Sequence, residues 1–176
     1  MQGIKEKFAG GKSKLKTTLG ISNEMALPRL VKVVLSSGTG KVSDKKKKEL
    51  IFDRITRIAG QKASVRPAKK SIANFKLREG QPIGVVVTLR GERMTEFLNK
   101  LIHVVMPRMR DFKGITPTSI DDIGNMTIGI PEHTVFPETA EDDLKDVFGL
   151  AVTIVTTARN KNDAEALFRH LGLPIK

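Results

Sequence analysis

The sequence predicts an α+β fold in which helices pack on one face of a largely antiparallel sheet. Three segments, 29–37, 83–90 and 150–157, alternate apolar and polar residues with the period of two that a half-buried strand requires. A helical pattern follows each of them within about ten residues, as in sheets that carry helices on one side. The other face should then be partly polar, and the 176 residues are expected to form a single domain.

Residues 3–19 predict a weak, basic helix that Gly10 and Gly11 interrupt. The strand RLVKVVLSS follows Pro28 and separates two sets of side chains. One face carries Val31, Val33 and Leu35, and the opposite face carries Lys32, Val34 and Ser36. We expect the apolar set to meet the helices and the mixed set to face outward.

The turn Gly38-Thr39-Gly40 leads into a helix near residues 43–59. Ser43 or Asp44 can serve as its N-cap, and Gly60 can end it in the left-handed conformation. A lysine run at 45–48 lies in the first turn, where the helix dipole disfavours cations. The run is therefore either a solvated face or a place where an external anion binds.

Residues 83–90 give the clearest strand pattern. One face carries Ile83, Val85, Val87 and Leu89, and the other carries Val86, Thr88 and Arg90. The helix that follows places apolar residues at helical spacing: Met94, Phe97, Leu98, Leu101 and Val105. Pro107 is expected to close this helix.

Residues 111–148 predict an acidic, loop-rich excursion with one short strand near 126–130. The strand at 150–157 comes next, with one set of its threonines on the open face. A last helix begins near Asn162 and stops at Gly172. It buries an apolar stripe formed by Ala164, Leu167, Phe168 and Leu171.

The charge of the chain is unevenly distributed. The formal net charge is +12, from 31 Lys/Arg and 19 Asp/Glu. Residues 1–110 hold 25 Lys/Arg and 8 Asp/Glu, a balance of +17, whereas residues 111–176 hold 6 and 11, a balance of −5. This uneven distribution of charge along the chain indicates one surface for a polyanion and another for solvent or a basic partner.

Several classes of protein are disfavoured by composition. No apolar run approaches the roughly 20 residues that cross a bilayer, and no basic helix has a broad apolar face, so no membrane partner is expected. The basic N-terminal segment is not followed by the apolar region of a signal peptide. The absence of cysteine excludes disulfides, thiol catalysis and cysteine–zinc sites. We expect a cytoplasmic protein.

The most basic stretch of the chain, residues 60–94, holds eight Lys/Arg and two Glu. It predicts a long basic loop that runs into the strand bearing Thr88 and Arg90. The chain has no Trp or Tyr, and of its eight Phe only Phe75, within this loop, is predicted to be exposed. RNA recognition should therefore depend on backbone and shape, which favours double-helical RNA over stacked single strands.

Enzymatic patterns are weak. The segment GTGKVS at 38–43 has the context of a dinucleotide-binding loop but lacks the third glycine, and Val42 occupies the Ser/Thr position of a Walker A loop. The histidines match no metal-ligand spacing: His103, His133 and His170. The acidic pairs Asp121-Asp122 and Asp142-Asp143 have no neighbouring base or nucleophile. We expect no enzymatic activity, metal or cofactor.

Several longer runs resemble the bacterial form of ribosomal protein five of the large subunit. These are GQK at 60–62, AKKSIANFKLREG at 68–80, PIG at 82–84, VTLRGERM at 87–94, PRMRDFKG at 107–114, GN at 124–125, FPE at 136–138 and GLP at 172–174. The resemblance covers residues 25–176 in order and at the family's spacing. Residues 1–24 match poorly and receive no specific role.

The resemblance implies a domain in the central protuberance of the large ribosomal subunit, bound to 5S rRNA and to large-subunit rRNA. The implied 5S rRNA-binding residues are Lys32, Ser36, Gln61, Lys62, Thr88 and Arg90. The implied loop that contacts P-site tRNA contains Lys69, Lys70, Asn74, Phe75, Lys76 and Arg78. The implied bridge to protein thirteen of the small subunit contains Asp111, Asp121, Asp122, Glu138, Asp142 and Asp143.

The sequence departs from the family pattern at three positions. The family usually has Asn where Ser36 stands, an aromatic residue where Thr95 stands and Tyr where Met126 stands. The serine reaches less far into RNA than asparagine does. Two other hypotheses stay open from the residues: a free-standing RNA chaperone or regulator that uses the same basic face, and a nucleotide-binding enzyme that uses the turn at 38–41.

Overall fold

The computed structural model describes residues 3–40, 42, 44–140 and 146–176, except for the side chains of Lys5 and Ala9. Contacts within the chain define two compact units. The first unit comprises residues 1–33, 90–128 and 153–176, and the second unit comprises residues 34–89 and 129–152.

The strands are β1 (Leu30–Gly38), β2 (Ser64–Pro67), β3 (Pro82–Leu89), β4 (Met126–Ile130) and β5 (Leu150–Thr156). They form an antiparallel sheet in the order β2-β3-β1-β5-β4. Along the chain, β1, β4 and β5 each pass from one unit into the other. The predicted α+β fold and its antiparallel sheet are confirmed, as are the three strong strands and the short strand near 126–130.

The sequence prediction of an uninterrupted basic loop after Gly60 was wrong, because residues 64–67 form β2. This strand pairs antiparallel with β3, with Ser64 opposite Val86 and Arg66 opposite Gly84. All four of its residues are exposed. A half-buried strand alternates buried and exposed side chains, and β2 does not. Its hydrogen-bonded pairing with β3 is what makes it a strand.

The helices are α1 (Ile4–Gly10), α2 (Lys12–Leu19), α3 (Lys45–Ala59), α4 (Gly91–Lys100), α5 (Met106–Arg108) and α6 (Lys161–Leu171). The predicted break at Gly10 and Gly11 separates α1 from α2.

The first and last residues of α3 agree with the capping residues predicted from the sequence. The carboxylate of Asp44 accepts a hydrogen bond from the amide of Lys46 at 2.9 Å, and Gly60 ends the helix with φ of 62°. Ser43, the other candidate cap, lies outside the described residues.

The helix at 91–108 does not end at Pro107 as expected. A π turn at Leu101–Val105 joins α4 to α5, and the amide of Met106 donates to the carbonyl of Leu101. Pro107 lies inside α5, which ends one residue later at Arg108. Proline lacks an amide and crowds the preceding turn, and the wider turn before it accommodates the ring.

The first unit is built around α6 and the segments of β1, β4 and β5 that it contains. The apolar stripe predicted for α6 is fully buried, and so are the inward residues Val33, Met126 and Ile154. The helices α1 and α2 pack on α6, and α1 also contacts α4. Ile4 donates its amide to the side-chain oxygen of Asn99 at 3.0 Å, which fixes the start of α1.

The second unit has its core between α3 and the strands. Ile51, Ile55 and Ile58 form the buried stripe of α3, and Val85 and Val87 are the facing residues of β3. The segment at 131–149 adds a second cluster: the rings of His133 and Phe148 stack with their centroids 4.1 Å apart. No helix among the described residues is long and apolar enough to cross a membrane.

Candidate nucleic-acid interface

The strands present one buried face and one partly exposed face, because successive side chains point to opposite sides of a sheet. In β1 the residues Val33 and Leu35 are buried, whereas Lys32, Val34 and Ser36 are partly exposed. In β3, Val85, Val87 and Leu89 are buried, whereas Val86 and Thr88 are partly exposed. The predicted division of side chains between the two faces is confirmed for these residues, but Val31, which was expected to meet the helices with Val33 and Leu35, is 40% exposed. We call the partly exposed side the open face.

In the second unit the open face carries Ser36, Thr88 and a residue that the sequence did not point to, Arg66. Directly opposed residues of an antiparallel pair lie on the same side of a sheet. Arg66 pairs with Gly84 of β3. Gly84 is next to buried Val85 in the strand and so lies on the opposite, open face, and Arg66 lies on that face with it. The only signal in the sequence was that polar and apolar residues alternate over the four positions of Ser-Val-Arg-Pro at 64–67, a run too short to identify a strand.

Gln61 and Thr88 are joined in the same unit. The side-chain amide of Gln61 donates a hydrogen bond to the carbonyl of Thr88 at 3.2 Å. This bond holds the turn after α3 against the end of β3, and Lys62 follows it with an exposed side chain. The structure therefore brings together Gln61, Lys62 and Thr88, which sequence reasoning had grouped.

Ser36 lines an open groove in the second unit. The groove has a volume of about 490 Å³, and Gly38, Gly129 and Gly149 are among its lining residues. Neighbouring Ser37 points the other way and donates its hydroxyl to the carbonyl of Gly149 at 2.7 Å. Because the glycines have no side chains, they leave another molecule free to approach the backbone beside Ser36 closely.

In the first unit the open face carries Lys32 and a pair of threonines. The hydroxyls of Thr127 and Thr153 lie 3.1 Å apart, which confirms that a threonine of the last strand faces this way. Arg90 is exposed and extended, with φ of −138°, and forms the N-cap position of α4. The sequence prediction that it shares a side with Thr88 rests on their spacing of two residues in the chain.

The basic loop at 68–81, in the second unit, folds back on itself. Its base is closed by two backbone hydrogen bonds, from Ala68 to Gln81 at 2.8 Å and from Gly80 to Ala68 at 3.0 Å. A bridge between Ile72 and Leu77 closes the tip. The predicted tRNA-contact residues are all exposed: Lys69, Lys70, Asn74, Phe75, Lys76 and Arg78.

The tip of that loop is shaped by a left-handed residue. A single 3-10 turn at Ala73–Phe75 ends at Lys76, whose φ is 51°. The sharp reversal leaves the ring of Phe75 72% exposed. Every other phenylalanine is buried or half-buried, so the prediction that Phe75 alone is available to a ligand is confirmed.

The predicted acidic bridge residues that the structure describes are divided between the two units. Asp111, Asp121 and Asp122 belong to the first unit, and Glu138 belongs to the second; all four are exposed. Asp121 also has a local role, because its carboxylate accepts from both the amide and the side chain of Asn125. Asp142 and Asp143 lie outside the described residues.

The described residues hold no group of three or more His, Asp or Glu placed to bind a metal. His170 bonds through its Nε2 to the carbonyl of Lys7 at 2.9 Å, so its role is structural. In the turn at 38–40 the amide of Thr39 donates to Ile83 at 2.8 Å, a contact that ties the turn to β3. Lys41 and Ser43 of this motif lie outside the described residues.

The fold and its open face define a basic α+β protein with a surface suited to a polyanion, and comparison with known proteins identifies the family. The family model described as Ribosomal protein L5 matches residues 23–78. A second model, described as the C-terminus of this ribosomal family, matches residues 82–175. The chain belongs to the ribosomal protein L5 family.

Its relatives extend over nearly its full length. It is 51% identical over 164 residues to the large ribosomal subunit protein uL5 of Desulfatibacillum aliphaticivorans, with 93% of this chain and 92% of that protein covered. It is 45% identical over 166 residues to uL5 of Anaeromyxobacter sp. (strain Fw109-5), with 94% and 92% covered. It is 48% identical over 166 residues to uL5 of Brachyspira hyodysenteriae, with 94% and 89% covered.

Proposed function

We propose that this protein is a structural constituent of the large ribosomal subunit that binds 5S rRNA and helps attach it in the central protuberance. The open face of the strands carries the proposal. Its described side chains are cations, hydroxyls, glycines and small aliphatic residues, and no carboxylate is among them. Membership of a ribosomal protein family identifies rRNA as the polyanion. In this role the protein has no enzymatic activity.

The chemistry of the open face suits an RNA backbone. Lys32, Arg66 and Arg90 supply positive charge for phosphates, and Ser36 and Thr88 supply hydroxyls for phosphates or ribose 2′-hydroxyls. No aromatic side chain lies on the described part of the face, so successive bases cannot stack there. The fitting ligand is a double-helical part of 5S rRNA.

The groove beside Ser36 supports contact there despite the short side chain. Serine reaches less far than the asparagine that the family usually has at this position. Gly38, Gly129 and Gly149 leave the neighbouring surface without side chains, so the RNA backbone can come closer to the sheet. A closer approach brings a phosphate or ribose oxygen within reach of the serine hydroxyl.

We further propose that the loop at 68–81 contacts the tRNA in the P site. It presents four cations and one exposed aromatic ring on a short, locally hydrogen-bonded hairpin. Two of its side chains bond within the loop: Ser71 accepts from the amide of Glu79 at 2.9 Å, and Gln81 accepts from the amide of Arg78 at 3.2 Å. The cations remain directed to solvent.

The third proposed contact is a bridge to protein thirteen of the small subunit through acidic residues of the segment at 111–148. The balance of −5 over residues 111–176 supports a basic partner. Asp111, Asp121, Asp122 and Glu138 are the described members of this set.

Binding to isolated 5S rRNA tests the main proposal. We expect tight binding to 5S rRNA, much weaker binding to an unrelated hairpin, and an affinity that falls steeply as salt rises because counterions are released. Equal affinity for both RNAs at moderate salt would overturn the proposal. Sedimentation of a cell extract separates it from a free-standing RNA chaperone, since a constituent of the subunit must sediment with ribosomes.

A further inference from the structure

The charged residues of α2, the second helix of the first unit, are all positive. Its sequence, KSKLKTTL, contains three lysines and no acidic residue. Leu15 is its buried residue, and Lys12 and Lys16 are half-exposed while Lys14 is exposed. No described carboxylate forms an ion pair with any of these lysines, whereas Arg169 on neighbouring α6 pairs with Glu165 at 2.9 Å.

The lysines of α2 oppose helix formation in two ways. Lys12 and Lys16 stand four residues apart on one flank, where like charges repel each other. Lys12 also lies in the first turn, at the positive end of the helix dipole. An isolated helix of eight residues is not stable in water, so α2 depends on its tertiary contacts.

Those contacts hold α2 firmly on the first unit. Leu15 is 3% exposed, and α2 packs on α6 and α1. At the junction of α1 and α2 the ring of His170 lies so close to Gly11 that a Cβ there would be 1.8 Å from its Nε2. The same nitrogen bonds to the carbonyl of Lys7, and the ammonium of Lys7 donates to the carbonyl of Leu171 at 3.5 Å.

Three lysines without carboxylate partners among the described residues, on a helix that packs on α6, present positive charge that suits an anionic partner. We propose that α2 binds the phosphate backbone of a segment of large-subunit rRNA other than 5S rRNA, through Lys12, Lys14 and Lys16. The hydroxyls of Thr17 and Thr18 donate to backbone carbonyls of α2 itself, so the lysines make the contact. This inference rests on membership of the ribosomal family and is independent of the assignment of 5S rRNA to the open face.

The layers of the first unit distinguish this RNA segment from the one on the strands. The buried stripe of α6 and the inward residues of the strands form one core, and α2 packs on α6 from outside. Packed layers lie about 10 Å apart, so we expect α2, which contacts α6, to reach a different segment of RNA from a duplex that lies on the open face. An acidic membrane is disfavoured because α2 has no exposed apolar face to insert.

The variant K12A/K14A/K16A tests the proposal. Alanine favours helix, so the fold should persist, as judged by circular dichroism and an unchanged melting temperature. In filter binding against large-subunit rRNA separated from 5S rRNA, we expect a loss of about tenfold or more and a salt slope smaller by roughly two to three, one unit for each phosphate contact. The affinity for 5S rRNA should stay within about twofold.

The control variant R57A/K113A/K176A removes the same charge from three exposed positions outside α2 and should leave rRNA binding within about twofold. If the alanine variant unfolds, K12Q/K14Q/K16Q preserves side-chain length and takes its place. Equal losses for both RNAs, no loss for either, or binding of the unmodified protein to phosphatidylglycerol vesicles in place of rRNA would overturn the proposal. If the separate proposal that the open face binds 5S rRNA is wrong, the unmodified protein will show no preference for 5S rRNA over an unrelated hairpin.

Discussion

The side chain of Gln61 donates a hydrogen bond to the backbone carbonyl of Thr88 at 3.2 Å. The two residues are 27 positions apart, and the bond joins the turn after α3 to the last part of β3. It uses only the backbone of Thr88, so the threonine hydroxyl remains on the open face. A substitution of the Thr88 side chain can therefore test the proposed RNA contact without removing this hydrogen bond.

Replacing Thr88 with valine should weaken binding to 5S rRNA without changing the fold. Valine has nearly the shape of threonine, and the carbonyl that Gln61 bonds is unaffected. Loss of one hydrogen bond of about 1 kcal/mol corresponds to roughly a fivefold loss of affinity. Titration of labelled 5S rRNA measures the effect, and Thr118→Val, in the turn at Pro117–Ser119, serves as the control. Unchanged affinity of Thr88→Val would remove this hydroxyl from the interface.

Replacing Arg90 or Arg66 with alanine should reduce 5S affinity and lower the salt slope by about one for each arginine, as expected for a lost phosphate contact. Both side chains are exposed, so the melting temperature should change little. Arg57→Ala is the matched control, because Arg57 lies on α3 and pairs with Asp53 at 2.9 Å. A melting temperature that falls with Arg90→Ala would assign that residue to structure, and a normal salt slope for Arg66→Ala would exclude it from RNA binding.

Replacing Arg78 with alanine should leave 5S affinity unchanged and weaken the contact with P-site tRNA. Arg78 is an exposed residue of the hairpin at 68–81, and its amide, which bonds to Gln81, survives the substitution. Chemical probing of P-site tRNA in reconstituted ribosomes measures the effect, with Phe75→Ala as a second variant at the tip. An equal loss of 5S affinity would contradict the division into two RNA-binding surfaces.

Replacing Gly124 with alanine should destabilise the first unit by about 2 kcal/mol or more. Gly124 has φ of +84°, and a Cβ there would lie 2.7 Å from the Cβ of Ala158 and 3.3 Å from that of Ala164. Its carbonyl also accepts a hydrogen bond from the buried hydroxyl of Thr156 at 2.7 Å. Urea unfolding measures the free energy of unfolding. Gly129→Ala, where a Cβ meets nothing within 4 Å, is the control.

Local patterns predicted most of the fold because the strands of this sheet have one buried side. Alternation located β1, β3 and β5, and the same alternation assigned Lys32, Ser36 and Thr88 to the open face. Capping residues located both ends of α3, and Gly172 located the last residue of α6. Each of these signals is carried by residues near one another in the chain.

Contacts between distant residues could not be predicted in the same way. Arg66 joins the open face only because β2 pairs with β3 in a register that sets it opposite Gly84. The role of His170 depends on its meeting the carbonyl of Lys7, 163 positions away. The stacking of His133 on Phe148 likewise gives a buried position to a histidine with no sequence motif.

The basic segment at 60–94 combines both kinds of information. The sequence by itself determined its charge, the exposed faces of its main strand and its resemblance to a ribosomal protein family, because composition and periodicity are properties of the chain alone. The tertiary structure decided that residues 64–67 form a strand carrying Arg66 and that residues 68–81 close into a hairpin with Phe75 at its tip. Outside this segment, it also decided that α2 packs on α6. Register and packing arise from contacts across the fold, so they are settled only when the chain has folded.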